Sequence, residues 1–251
     1  MMGSLKRFCQ LPVCMASQQA FRGKHILITG AAAGIGYALC RRLVLAGATV
    51  TVFDKARPVD PFVGVKYHVV DVTDSRESAH AIEQVRKPIN ILINNAGVMR
   101  RGSLFKATEE DWDCLFGVNL KAQWLVLKAA RSKLARRATL VFVASQHGMY
   151  LPSDPALYAL TKAGVISFVR LVANTMPKYR VKLACPGPTD TELHRMGRTA
   201  VHLAAERKTG KLCSPDEIAQ HIFRLLVSDA CALLYDRNSC RYRLQKTFPC
   251  S

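Results

Sequence analysis

Tyr158 and Lys162 stand four residues apart in the stretch ALYALTKAG, from Ala156 to Gly164. On a helix, positions four apart share one face, so a phenol and an ammonium would lie one above the other. A phenol left to itself titrates near pH about 10, too high for an efficient base at neutrality. An ammonium beside it favours the phenolate and draws that value down. The pair can then take a proton from a hydroxyl or return one to a carbonyl oxygen. Tyr and Lys at this spacing also occur on ordinary helix faces, so the reading depends on what the rest of the chain supplies.

A second chemical feature is the loop TGAAAGIG, Thr29 to Gly36, which follows the run HILIT and opens a helical stretch. Gly30 lets the strand turn, Gly34 lets backbone approach a phosphate, and Gly36 lets helix and strand pack closely. Free N–H groups and the positive end of the helix dipole would then face a pyrophosphate. Asp54 closes the next strand in TVFDKA, 18 residues after Gly36. A carboxylate there accepts from both ribose hydroxyls and repels a 2′-phosphate, which favours NAD over NADP. Lys55 and Arg57 pull the other way, and the plain alternative for Asp54 is a strand-ending turn residue.

These side chains need a frame. The runs HILIT, ATVTVF, KYHVVDV, INILINN, ATLVFVAS and RVKLAC read as strands of near-continuous apolar character. Between them lie the helical stretches GYALCRRLVLAG, SRESAHAIEQVRK, LKAQWLVLKAARSKLARR and ALYALTKAGVISFVRLVANTM. Strands buried on both faces and alternating with helices predict an α/β fold, a doubly wound parallel sheet of the Rossmann type. At 251 residues and 49% hydrophobic content, one domain can bury a sizeable core. Residues 1–22 read as a leader, 23–229 as the nucleotide-binding domain and 230–251 as a tail.

In order and spacing, these motifs resemble the short-chain dehydrogenase/reductase family from about Lys24 to Asp229. TGAAAGIG resembles its TGxxxGxG, Asp71–Val72 its adenine-side pair, and Asn94–Gly97 (NNAG) its fourth-strand signature. Asn119 matches the helical asparagine, Ser145 precedes Tyr158 by 13 residues, YALTK fits YxxxK, and Pro186–Thr191 fits PGxxxT. The resemblance implies hydride transfer between a secondary alcohol and a nicotinamide. Tyr158 would be the acid/base, and Lys162 would lower its pKa and bind ribose. Ser145 would hold the substrate oxygen as an oxyanion donor does, and Asn119 would anchor a water that carries protons away from Lys162. Around the cofactor it implies Gly30, Gly34, Ile35, Gly36, Asp54, Asp71, Val72, Asn95, Ala96, Gly97, Tyr158, Lys162, Pro186, Gly187, Thr189 and Thr191. Simpler roles stand beside these: Ser145 as a turn cap, Asn119 as a backbone brace, Thr189 and Thr191 as helix caps.

For the substrate, several local stretches are similar to 2,3-dihydro-2,3-dihydroxybenzoate dehydrogenases, which oxidise a cyclic dihydrodiol carboxylate with NAD. Such an anion needs a cation, and Arg100, Arg101 and Arg195 are the candidates, with Gln146 beside Ser145 as a further contact. The alternatives are a 3-oxoacyl reductase or general alcohol dehydrogenase, and, from another class, an inactive NAD-binding scaffold. The resemblance also implies a homo-oligomer, dimer or tetramer, through the long helices carrying Asn119 and Tyr158.

The formal net charge of +18 is spread along the chain, without a basic block interleaved with aromatics, which argues against nucleic acid as a partner. No run of apolar residues reaches the length of about 18 that spans a membrane, so no membrane partner is expected. The nine cysteines have neither CxxC pairs nor zinc-ligand spacing, which predicts reduced thiols and no metal. No acid precedes Asp54. The opening therefore reads as a leader of a cytoplasmic protein or as a mitochondrial targeting peptide, and its sparse Arg and Ser favour the leader. After LLVSDACALLYD the chain ends in RNSCRYRLQKTFPCS, where the family has a glycine turn, a last strand and a VDGG-like end. The last strand is therefore expected to be missing or altered, with an open edge.

Overall fold

The computed structural model describes residues 19–208 and 212–249. Its frame is an eight-stranded sheet in the order β3-β2-β1-β4-β5-β6-β7-β8. The strands are β1 (His25–Thr29), β2 (Thr49–Asp54), β3 (Lys66–Val69), β4 (Ile89–Asn94), β5 (Leu134–Val143), β6 (Arg180–Cys185), β7 (Ala232–Asp236) and β8 (Arg241–Gln245). All neighbours pair parallel except β7 and β8, which pair antiparallel.

The unbroken apolar character of the central strands has a direct cause. Alternate side chains point to opposite faces, and both faces are covered. Leu27, Phe53, Leu92, Phe142 and Leu183 feed one layer, with α2 (Ser75–Glu83), α4 (Ala122–Ala130) and α6 (Ala156–Thr175). Ile26, Val50, Ile93 and Val141 feed the other, with α1 (Gly34–Leu45) and α9 (Pro215–Val227). The remaining helices are α3 (Glu109–Phe116), α5 (His147–Tyr150), α7 (Glu192–Arg195) and α8 (Ala200–Lys208). β1 is flanked by β2 and β4, so the chain reverses its winding there and opens a crevice at the strand ends.

α6 has the length and composition of a membrane span, with a mean hydropathy of 1.5. Here its apolar side, with Val165, Ile166 and Val169, packs on the sheet as a core helix.

Three sequence expectations are adjusted. The helical stretch from Leu120 to Arg137 ends early: a short 3₁₀ turn, Arg131–Lys133, leads into β5 at Leu134, which pairs with Ile89 and packs against the core. Tertiary packing overrides the helix propensity of Leu, Ala and Arg. Phe21, assigned to the leader, is 5% exposed, and its ring meets Phe223 edge-on at 5.2 Å. The earlier leader positions, 1–18, lie outside the described residues.

The tail is altered rather than missing a strand. β7 continues the parallel sheet beside β6, and β8 folds back along β7. Asp236 closes the turn by accepting from the backbone N–H of Asn238 at 2.9 Å and pairs with Arg243 at 2.8 Å. Tyr242 alternates inward and stacks on His221 with centroids 4.4 Å apart. One inward aromatic among arginines does not look like an alternating strand in sequence, yet it anchors one.

Candidate active site

The glycine loop joins β1 to α1 along the floor of a cleft of about 500 Å³. Gly30 sits at φ +67, and a Cβ there would lie 2.5 Å from Ala96 Cα. At Gly36 a Cβ would lie 2.1 Å from the Gly30 carbonyl oxygen. Both contacts are with backbone, so only glycine fits. Asn95 fixes the same turn, donating from Nδ2 to the Gly30 carbonyl at 2.6 Å and to the Thr29 carbonyl at 3.1 Å. The Thr29 hydroxyl accepts in return from the backbone N–H groups of Asn95 and Ala96.

Asp54 reaches back to this loop. Its carboxylate accepts from the Ala32 N–H at 2.8 Å and the Ala56 N–H at 3.2 Å, and it lines the cleft. Lys55 is drawn aside, pairing with Asp71 at 2.9 Å. Burial pushes the Asp71 carboxyl up, but hydrogen bonds from Thr73 and Lys55 outweigh it and hold the group below its usual range. Val72, Ile35, Gly34 and Gly97 complete this end. Opposite them run Pro186, Gly187, Thr189 and Thr191. Thr191 also caps α7, accepting from His194 N–H at 3.2 Å, so its capping role is present in the fold.

Ser145 follows β5, and the Gln146 N–H donates to the Pro186 carbonyl at 2.9 Å, tying the two loops together. Tyr158, 5% exposed, and Lys162 rise from α6 into the same cleft. Lys162 Nζ donates to the Val143 carbonyl at 3.1 Å and lies 5.6 Å from the Tyr158 ring centroid. Burial pushes the Tyr158 phenol up to about 12, against the pull of its hydrogen bond with Ser145, so the lowering expected from Lys162 is not present in this geometry, where burial dominates. Burial likewise holds the Lys162 ammonium down, at about 8.

Asn119 lies in a π-helical turn, Gly117–Lys121, between α3 and α4. Its side chain accepts from the Val98 N–H at 2.8 Å and donates to the Val98 carbonyl at 3.0 Å and to Thr161 Oγ1 at 3.1 Å. It therefore braces the chain after β4 against α6. Its own carbonyl accepts from Gln123 Nε2 at 2.9 Å.

The cation candidates separate. Arg100 turns outward to Glu110 at 3.4 Å and Asp111 at 3.0 Å, and Arg195 turns outward to Asp190 at 2.8 Å. Neither lines the cleft, because acidic partners on their own surface hold them there. Arg101 does not line the cleft either, but it lies against the loop that does, donating from Nε to the carbonyl of the cleft-lining Met196 at 3.3 Å. Gln146 does line the cleft, and its side-chain oxygen is buried without a partner. Sequence reasoning missed His147, His194 and Arg198, which line the far end with Met99, Leu193 and Met196. His147 stood two places after Ser145, a signal of proximity alone. For His194 and Arg198 no spacing pointed to the site.

Among the described residues no group of three or more His, Cys, Asp or Glu is placed to hold a metal ion. Cys40 and Cys185 are buried core residues, while Cys114 is only half-buried.

The cradle fits a dinucleotide by its own geometry: a turn that excludes any Cβ, a helix N-terminus beyond it, and a carboxylate at the end of β2. Comparison with known proteins agrees. The short chain dehydrogenase family matches residues 24–201. The chain is 33% identical to the 3-oxoacyl-[acyl-carrier-protein] reductase of Thermotoga maritima over 82% of its length and 91% of the relative's. It is 31% identical, at the same coverage of 82% and 91%, to dehydrogenase/reductase SDR family member 6 of Danio rerio. Among solved structures, the ligand-free aldohexose dehydrogenase of Thermoplasma acidophilum superposes with a TM-score of 0.76 at 23% identity, covering 84% of this chain and 89% of that one. A short chain dehydrogenase of Burkholderia cenocepacia in complex with NADP gives a TM-score of 0.70 at 26% identity, covering 80% and 89%.

Proposed function

The chain belongs to the short-chain dehydrogenase/reductase family, oxidoreductases that act on CH–OH groups with a nicotinamide cofactor, and from that premise we propose that it is an NAD-linked dehydrogenase of a secondary alcohol with Tyr158 as its acid/base. The observation that carries this reading is the convergence of Ser145, Tyr158 and Lys162 at the inner wall of the cleft that the glycine loop floors.

A nicotinamide held by this cradle would supply the hydride acceptor or donor and, when oxidised, a positive charge that favours the Tyr158 phenolate. Ser145 Oγ holds the substrate oxygen, and Tyr158 Oη exchanges the proton with that same oxygen. Lys162, buried and still protonated near neutrality at about 8, keeps a positive charge beside the phenol. Asn119, in the π-helical turn, contributes by bracing the chain after β4 against α6 and by anchoring a water that relays the proton onward. Because the phenol sits at about 12, these groups favour the protonated Tyr158, the form that reduces a carbonyl.

Support for NAD comes from Asp54 at the cleft and from Lys55 being held by Asp71. Purified protein should bind NADH more tightly than NADPH by fluorescence, and Asp54→Ala should erase the difference. Equal or tighter NADPH binding by the wild type would remove this reading. Among alcohols, a cyclic dihydrodiol carboxylate is the subgroup that local sequence favours. The second reading, a 3-oxoacyl reductase, is favoured by the name of the Thermotoga maritima relative. A screen of NAD-linked oxidation over dihydrodiols, simple secondary alcohols and 3-hydroxyacyl thioesters separates the two. A homo-oligomer is proposed through the apolar side of α4 and α6, where Trp124 and Leu171 are exposed beside Leu120 and Phe168.

A further inference from the structure

We propose that the far end of the cleft is a carboxylate-recognition subsite carried by Arg198, with Arg101 backing it from behind the Met196–Arg198 loop, so that the substrate is an organic acid anion, a hydroxy acid or its oxo counterpart. This rests on the oxidoreductase reading above and narrows it.

The two guanidinium groups are brought together by one loop. Gly197, at φ +68, lets the chain fold over the Arg101 stem, and a Cβ there would lie 3.0 Å from Arg101 Cδ. Arg101 Nε donates to the carbonyl of Met196 on one side of Gly197, and Arg198 follows on the other. The Arg101 loop is fastened to the start of α6: the Gly102 N–H donates to Asp154 at 2.9 Å, and the Ala156 N–H donates to the Gly102 carbonyl at 3.1 Å. Both cations are thereby referenced to the helix that carries Tyr158.

Each retains unspent donor capacity. Arg198 pairs through Nη1 with Glu206, while its Nε is buried without a partner. Arg101 meets Asp154 only at 3.8 Å, while its Nη2 is buried without a partner. Buried N–H groups are rarely left unmatched, and a guanidinium edge fits a planar carboxylate. The field agrees with the geometry. His147, which lines the cleft with Arg198, is held down at about 4 by burial and then by Arg101, Arg198, Arg237 and His194. Met99, Leu193 and Met196 line the same end, so an apolar body would bridge the carboxylate and the reacting oxygen. A neutral acyl thioester presents no charge for these arms.

The test uses the full chain with NAD and a matched pair of probes, 3-hydroxycyclohexanecarboxylate and its methyl ester. Cyclohexanecarboxylate and cyclohexanecarboxamide, titrated in the presence of NADH, read binding without turnover. The acid should exceed the ester in kcat/KM by about tenfold or more, as expected when charged donors meet their anion. That ratio should collapse to near unity in Arg198→Gln, be partly kept in Arg198→Lys, and be fully kept in Arg100→Gln. Arg101→Gln gives a second route if Arg198→Gln does not fold. If neither alcohol turns over but the carboxylate still outbinds the carboxamide through Arg198, the subsite stands and the alcohol reading falls. Equal turnover of acid and ester, with equal binding of carboxylate and carboxamide, overturns the subsite.

Discussion

At the glycine-loop end of the cleft, Asn95 Nδ2 serves two carbonyls and Asp54 serves two backbone N–H groups. At the opposite end, Gln146 Oε1, His147 Nδ1 and Arg198 Nε are buried without partners, as is Nη2 of Arg101 behind them. The first set is occupied in holding backbone, which gives a rigid cradle of fixed shape. The second set holds capacity in reserve, which suits a site that completes its bonds on a ligand. Tyr158 and Lys162 sit at the junction, where the fixed end meets the open one.

Substitutions should separate the two ends by what they damage. The largest effect on folding is expected at Gly36→Ala, whose new methyl would fall 2.1 Å from the Gly30 carbonyl oxygen. Backbone must move to admit it, at a cost of about 3 kcal/mol or more in chemical denaturation, whereas Arg198→Gln should cost about 1 kcal/mol or less. Comparable losses in the two variants would break the contrast.

Next comes the junction itself. Lys162 has a folded pKa of about 8, below its ordinary 10.5. Between those values the unfolded chain keeps the proton that the folded chain has released, so this group makes stability rise with pH across that window. Below it, the buried ammonium costs on the order of 3 kcal/mol. Lys162→Met should therefore melt higher than the wild type at pH 7 while losing turnover, and its advantage should shrink from pH 8 to 10. Using the difference between the two proteins removes the common contributions of the buried phenol and thiols. A variant that melts lower at pH 7 would show that the ammonium holds the fold together.

The smallest effect is expected from the tail. Tyr242 Oη accepts from the Gly187 N–H at 2.8 Å, and the ring of Tyr235 lies directly behind Gly187, 2.6 Å from where a Cβ would stand. The atypical chain end thus backs the loop that faces the cofactor side of the cleft. Tyr242→Phe keeps the stacking on His221 and removes the hydroxyl's hydrogen bonds with Gly187 and Cys213, so urea unfolding should show a loss of about 1 kcal/mol. No change would mean the hairpin only covers the sheet edge.

What was legible in the sequence follows the same division. Thr29–Gly36 could be read because a strand, a tight turn and a helix succeed one another within a few residues, and each imposes its own residue type. Tyr158 and Lys162 could be read because helical geometry places them on one face. The Arg198 end could not, since its groups come from α5, from the loop before α8 and from the chain after β4, and they meet only through tertiary contacts such as Gly197 on Arg101. Arg100 and Arg101 are adjacent and alike, and the carboxylates of Glu110 and Asp111 on α3 take Arg100, while Arg101 goes to the Met196–Gly197 loop. In the tail, Tyr242 alone marks the inward face of β8, too little pattern to announce a strand.

The central claim is that one proton-exchanging phenol stands where a preformed cofactor cradle meets the substrate end. Tyr158→Phe tests it most directly, with NADH binding and alcohol oxidation measured on the same preparation. The account predicts NADH affinity within about twofold of the wild type and turnover reduced by about 10²–10⁴-fold, the range for removing a positioned acid/base. Turnover that persists within tenfold of the wild type while NADH remains bound would contradict it.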